Sequence, residues 1–174
     1  DVPLAALRAI IDWTPFFQTW ELSGRYPQIL DDAIVGPQCR ELFADANAML
    51  DRIVAEKWLT AKAVCGLWPA NSVGDDIQLA PTAPPFQPTT LFCLRQQAEK
   101  PDDRPNFSLS DFIAPLDSGK QDWVGAFAVN AGIGIDPHVA AFEAAHDDYN
   151  AILLKSLADR LAEAFAEWLH RKVR

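Results

Sequence analysis

Basic residues are in short supply. The 174-residue chain has 15 Lys and Arg against 24 Asp and Glu, a formal net charge of -9. A phosphate backbone is held by clustered Lys and Arg, so the balance argues against nucleic acid and against an anionic membrane surface. The acids are spread along the chain rather than gathered in a tail, which fits simple solubility. No apolar run approaches the roughly 20 residues that span a bilayer. The opening DVPLAALRAII has no basic segment ahead of its apolar residues, so it does not read as a signal peptide. Cysteine is scarce too: Cys39, Cys65 and Cys93 are isolated and lack motif spacing. They are expected to be reduced packing residues, without metal, in a cytoplasmic protein. The eight glycines never fall into GxGxxG or GxxxxGK spacing, which removes the usual phosphate cradles. There is no GxSxG elbow. His138, His146 and His170 have no ligand spacing such as HExxH, and HDDY (146–149) on a helix would point its residues in different directions.

What is present is enough apolar residue, 49%, for one sizeable core. Residues 4–11 form a short apolar stretch of helical character. DWTPFFQTWELSGRYP is aromatic, is broken by Pro15, Gly24 and Pro27, and cannot be one regular element. From Pro37 to about Lys57, Leu42, Ala46, Met49, Leu50, Ile53 and Val54 recur with helical spacing. AVCGLW, the turn cluster ANSVGDD and IQL read as a β-hairpin. PTAPPFQP (81–88) must be a loop. TTLFCLRQ (89–96) reads as a strand and AEKPDDRPN as a polar loop. DWVGAFAVN (122–130) reads as a strand whose internal glycine implies close packing by a neighbour. Asp136-Pro137 signals a helix start, with Asp as N-cap. Phe142, Tyr149, Leu153, Leu157, Leu161, Phe165, Trp168 and Leu169 continue that face. Unbroken, the helix would run roughly 37 residues, about 55 Å, long enough to suggest a kink or a bridging role. This order is α+β rather than βαβ. The first residue is Asp1, and Arg174 ends the chain inside a helical pattern without a stop signal; the chain is expected to be a segment of something longer.

Two acidic features stand out. Asp12, in IDWTPFF, lies between apolar Ile11 and Trp13; it serves either as a helix or turn cap or as a carboxylate for a cationic or hydroxyl-bearing ligand. The second is the column Lys155, Asp159, Glu163, Glu167, Arg171, spaced by fours. It is either a solvated face whose terminal bases offset three acids, or a row that docks a ligand or partner. Like-charge i,i+4 pairs cost only a few tenths of a kcal/mol each, so repulsion does not decide between them.

The blocks IDWTPFFQTWELSGRYP, LFADANAMLDRI, GLWPANSVGDDIQL, LRQQAEK, LSDFIAP, DWVGAFAV, HDDYN and LADRLAEAFAEWLHRKVR occur in this order. They resemble the activation domain of cobalamin-dependent methionine synthase, from about Ile11 to Arg174, with variable loops at 80–90 and 100–106. The resemblance implies a single domain over 1–174, α+β, with a twisted antiparallel sheet, flanking helices and a long C-terminal helix. It implies a part in binding S-adenosylmethionine and in capping the cobalamin domain during reductive methylation of cob(II)alamin. The electron would come from flavodoxin or a flavoprotein reductase.

By motif, the resemblance places Asp12 and Glu163 at the S-adenosylmethionine site and Asp159 on the surface facing the cobalamin domain; Glu167 stays a surface residue. It implies no catalytic residue in this segment, no directly bound metal and no catalysis by the segment alone, although the enzyme methylates homocysteine. Cobalamin would be held by a partner domain. There is one departure. The family continues into a second half with an Arg-Pro-Ala-Pro-Gly-Tyr segment that forms much of the ligand site, and this chain ends before it. The alternative is therefore a docking module for a cobalamin domain or flavodoxin that no longer takes S-adenosylmethionine.

Overall fold

The computed structural model describes residues 2–80, 87–101 and 104–174. In chain order the elements are α1 (Leu4–Arg8), α2 (Trp13–Thr19), α3 (Gly36–Ala55), β1 (Thr60–Val73), β2 (Asp76–Leu79), β3 (Thr89–Leu91), β4 (Asp122–Ile133), α4 (Asp136–Ala144) and α5 (Asp148–Val173). Short 3-10 turns lie at Gln28–Asp31, Leu109–Phe112 and Leu116–Ser118. The four strands form one antiparallel sheet in the order β3-β2-β1-β4, so the α+β class holds. Two compact units divide the chain: Asp1–Val64 with Ala128–Arg174, and Cys65–Phe127.

The helical unit is built on one apolar cluster. Leu7, Phe16, Phe17, Leu50, Ile53, Leu153, Leu154, Leu157, Leu161 and Phe165 are fully buried in it. α3 starts as its sequence indicates, with proline in the first turn, where a missing N–H costs nothing. It buries Leu42, Ala46, Met49, Leu50 and Ile53, the helical stripe seen in the sequence. α5 packs against α1, α2, α3 and α4, and it forms the long C-terminal helix.

One expectation is met here and one needs correction. The 37-residue pattern, long enough to suggest a kink, is broken into two helices. His146 adopts φ 56°, which no helix interior tolerates, and Asp147 caps the new start by accepting from the Asn150 backbone N–H (3.1 Å) and its side-chain amide (2.7 Å). HDDY is thus a helix break and cap, and the Tyr149 hydroxyl is spent on Asp45 at 2.7 Å. Asp136 is not the N-cap: Ile135 holds that position, without a side-chain cap, and Asp136 is the first helical residue. There its charge still favours the helix N-terminus. The entry turn is set by Gly134 at φ 100°, where a Cβ would lie 2.7 Å from the Trp58 carbonyl oxygen.

The second unit is a hairpin with loops. β1 pairs with β2 from Ala70↔Leu79 to Val73↔Asp76. The turn is tighter than the ANSVGDD cluster suggests: it is Gly74-Asp75 alone, with Gly74 at φ 60°. β3 stops at Leu91, short of the expected Gln96, and the segment that follows is held largely by side chains. The Cys93 N–H goes to Asp76 (3.0 Å). Arg95 forks to Asp75 (2.6 Å) and Asp111 (2.7 and 2.8 Å) and to the Asn106 carbonyl (2.7 Å). Most of the 81–88 loop, residues 81–86, lies outside the described residues. In β4 the internal glycine has the close neighbour its sequence implies: a Cβ on Gly125 would meet the Leu67 side chain at 3.1 Å. Of the three free thiols, Cys39 is buried, Cys93 intermediate and Cys65 exposed, so Cys65 does not have the packing role expected of it.

Candidate functional site

Asp12 is placed by what flanks it. Ile11 and Trp13 turn into the core, 9% and 7% exposed, and this leaves the carboxylate between them in solvent. Trp13 packs edge-on against Phe16 (5.3 Å) and Phe43 (4.8 Å), so the aromatic block is core rather than ligand wall. Asp12 is the N-cap of α2, with its Oδ1 accepting from the Thr14 N–H at 3.0 Å. Pro15, which the sequence suggests as a break, sits in the first turn of α2, where its absent N–H has no partner to lose. Thr14 also accepts from the Tyr26 N–H through its hydroxyl (3.2 Å), fastening the following loop to the helix. The capping reading of Asp12 is therefore realised, yet Oδ2 has no hydrogen bond among the described residues and remains an available acceptor.

α2 packs on α5, whose inner face is Leu157, Leu161, Ala164 and Phe165. Asp159, Glu163 and Glu167 lie on its exposed face. The column does not act as one ladder. Lys155 leaves it for Glu143 of α4, at 3.0 Å. Asp159 is bound by its neighbour Arg160 at 2.6 Å, and Glu167 by Arg171 at 2.6 Å. Glu163 alone has no ion pair or hydrogen bond among the described residues. Asp12 and Glu163 thus stand on two helices that pack together, in one unit, with no hydrogen bond between them. Each keeps acceptor capacity that the fold does not consume, as a site for ammonium or hydroxyl donors requires. Asp159 stands one turn from Glu163, its charge partly answered by Arg160.

The sequence did not single out a cavity of about 670 Å³ in the Cys65–Phe127 unit, lined from Ser72 to Gly74 and from Ser110 to Asp117. Only the hairpin turn and the LSDFIAP block were legible there, and neither signals a cavity. Among the described residues, no group of three or more His, Cys, Asp or Glu is placed to hold a metal ion, and no helix is long and apolar enough to cross a membrane.

Comparison with known proteins bears on this geometry. Residues 3–174 match the family model of the vitamin B12 dependent methionine synthase, activation domain. A solved structure described as the MetH reactivation domain bound to AdoHcy is 53% identical, with a TM-score of 0.90. The match covers 99% of this chain and 53% of that one, so the chain spans about half the length of the solved relative.

Proposed function

This chain belongs to the activation-domain family of vitamin B12 dependent methionine synthase, and on that premise we propose that it supplies part of the module that binds S-adenosylmethionine and caps the cobalamin domain for reductive methylation. The supporting observation is the likeness, at 53% identity and a TM-score of 0.90, to a reactivation domain bound to AdoHcy, the S-adenosyl compound that remains once the methyl group has left.

When bound, S-adenosylmethionine supplies an electrophilic methyl and reduced cobalamin the nucleophile, so no side chain here is needed as either. The residues present fit the ligand. The Oδ2 of Asp12 and both carboxylate oxygens of Glu163 are open acceptors for an α-ammonium or ribose hydroxyls, and charge-assisted bonds of this type are the stronger ones. Asp159, held by Arg160, is directed to the cobalamin domain. The work of these residues is to bind and orient, which turns a bimolecular transfer into an intramolecular one. Flavodoxin or a flavoprotein reductase is the electron donor, and the cytoplasm the compartment.

Calorimetric titration with S-adenosylmethionine and AdoHcy tests this. The chain alone should bind weakly or not at all. The chain extended through the Arg-Pro-Ala-Pro-Gly-Tyr segment should bind both. Micromolar binding by the chain alone, about -8 kcal/mol, contradicts the half-site. If the extended chain binds neither compound, the module is one for docking only.

A further inference from the structure

Asp12, Asp159 and Glu163 all belong to the helical unit. The other unit, Cys65–Phe127, holds the cavity of about 670 Å³, a volume within the range of about 300–1,000 Å³ typical of small-molecule sites. Three properties of its lining point to one class of ligand. The first is an apolar wall of Val73, Ile113, Pro115 and Leu116. Val73 and Leu116 are 42% and 57% exposed, so this wall has room for an occupant. The second is Ser110. It is 2% exposed, and its Oγ has no hydrogen-bond partner among the described residues. A buried hydroxyl left unpaired is unfavourable. Its neighbour in the lining, Ser72, is satisfied by donating to the Ile113 carbonyl at 3.0 Å.

The third property is charge. Two carboxylates border the cavity, and they are not equivalent. Asp111 is saturated: Arg95 holds both its oxygens and the Ser108 N–H donates to one of them at 2.9 Å. Asp117 is exposed and has no ion pair or hydrogen bond among the described residues. The rim therefore carries one uncompensated negative charge, on a chain whose net charge is already -9. An anionic ligand is repelled, whereas a cation is attracted. The frame is fixed in advance, because the Arg95 fork ties the hairpin turn at Asp75 to the 3-10 turn at Asp111; preorganisation of this kind reduces the cost of binding.

We propose that this cavity binds a small organic cation with an apolar body. The body lies on Val73, Ile113, Pro115 and Leu116, the ammonium or guanidinium meets Asp117, and a polar atom of the ligand pairs with the Ser110 hydroxyl. No part of the proposal depends on the S-adenosylmethionine reading.

The test is a fluorescence titration of the 174-residue chain with dansylcadaverine, an aromatic primary amine, beside its uncharged N-acetyl derivative. Saturable binding of the amine is expected, with the acetylated compound weaker. Asp117→Asn, at an exposed position that leaves the fold intact, should weaken the amine about two- to five-fold, as for loss of an exposed ion pair. Phe92→Ser, exposed but outside the lining, should change nothing. The proposal is overturned if binding does not saturate, if both compounds bind alike, if Asp117→Asn has no effect, or if Phe92→Ser weakens binding as much as Asp117→Asn.

Discussion

Glu163→Gln should stabilise the chain while it damages ligand binding. On α5, Glu163 stands four residues from Asp159 and four from Glu167, and each neighbour has its own arginine at 2.6 Å. Glu163 has none among the described residues. A like-charge i,i+4 pair costs about 0.2–0.5 kcal/mol, so two of them set an upper limit of about 1 kcal/mol. The two arginines partly neutralise the neighbours, which brings the expected gain to about 0.5 kcal/mol. For a chain of this size, about 2–4 °C of Tm corresponds to each kcal/mol, so Tm should rise by about 1–2 °C. Glu167→Gln removes one repulsion together with one attraction of similar size, and so does Asp159→Asn; both should stay within about 0.5 kcal/mol of the parent. Thermal unfolding followed by circular dichroism at low and high salt reads these differences. The gain at Glu163 should shrink with salt, as the Debye length falls from about 10 Å at 0.1 M to 3 Å at 1 M. If Glu163→Gln lowers Tm, or if all three variants shift alike, the column is only a solvated face and Glu163 has no special standing.

Other substitutions separate roles elsewhere in the chain. Asp12→Ala should cost about 0.5–2 kcal/mol in urea unfolding through loss of the α2 cap, while Asp12→Asn keeps the cap and isolates the charge. Phe165→Ala, in the centre of the helical core, should cost about 3–5 kcal/mol by the same assay. Asp111 is held down to about 2 by Arg95 and then by the Ser108 N–H. Its contribution is therefore complete above the ordinary carboxylate range near 4 and is lost as pH falls through about 2. Stability curves of the parent and Asp111→Asn should differ at pH 5 and converge near pH 2. In a longer enzyme containing this domain, Glu163→Gln should impair reductive reactivation while sparing the primary methyl transfer. Asp159→Asn should alter the balance of domain arrangements, followed by the cobalamin absorption spectrum, with little effect on S-adenosylmethionine affinity.

Much of the architecture was legible because it rests on periodicity. The α3 stripe and the α5 face from Leu153 to Phe165 repeat every three to four residues, and the hairpin is marked by Gly74-Asp75. What escaped was local and depended on side chains. The break at His146 needs one residue in the left-handed region, and no proline or glycine announces it. β3 ends at Leu91, and the residues beyond it are held by Asp76, Asp75 and Asp111, partners that no local pattern announces. Asp136-Pro137 resembles a cap and first turn, but the chain enters that helix one residue earlier, through Gly134. At the candidate site, the acidic column was visible as spacing, whereas the isolation of Glu163 was not. It follows from Lys155 choosing Glu143 and from Arg160 and Arg171 choosing the other two acids. The cavity of the second unit was invisible because segments 72–74 and 110–117 are far apart in sequence and carry no shared motif.

The part this chain plays in ligand binding is best tested by equilibrium titration of AdoHcy into the extended reactivation domain, comparing the parent with Asp12→Asn, Glu163→Gln and Glu167→Gln. Loss of a hydrogen bond to a charged group is worth about 1.5–3 kcal/mol, so the first two variants should raise Kd about 10- to 100-fold, while Glu167→Gln stays within about two-fold. Unchanged Kd values for Asp12→Asn and Glu163→Gln would return Asp12 to a helix cap, Glu163 to a solvated surface, and the chain to a docking module.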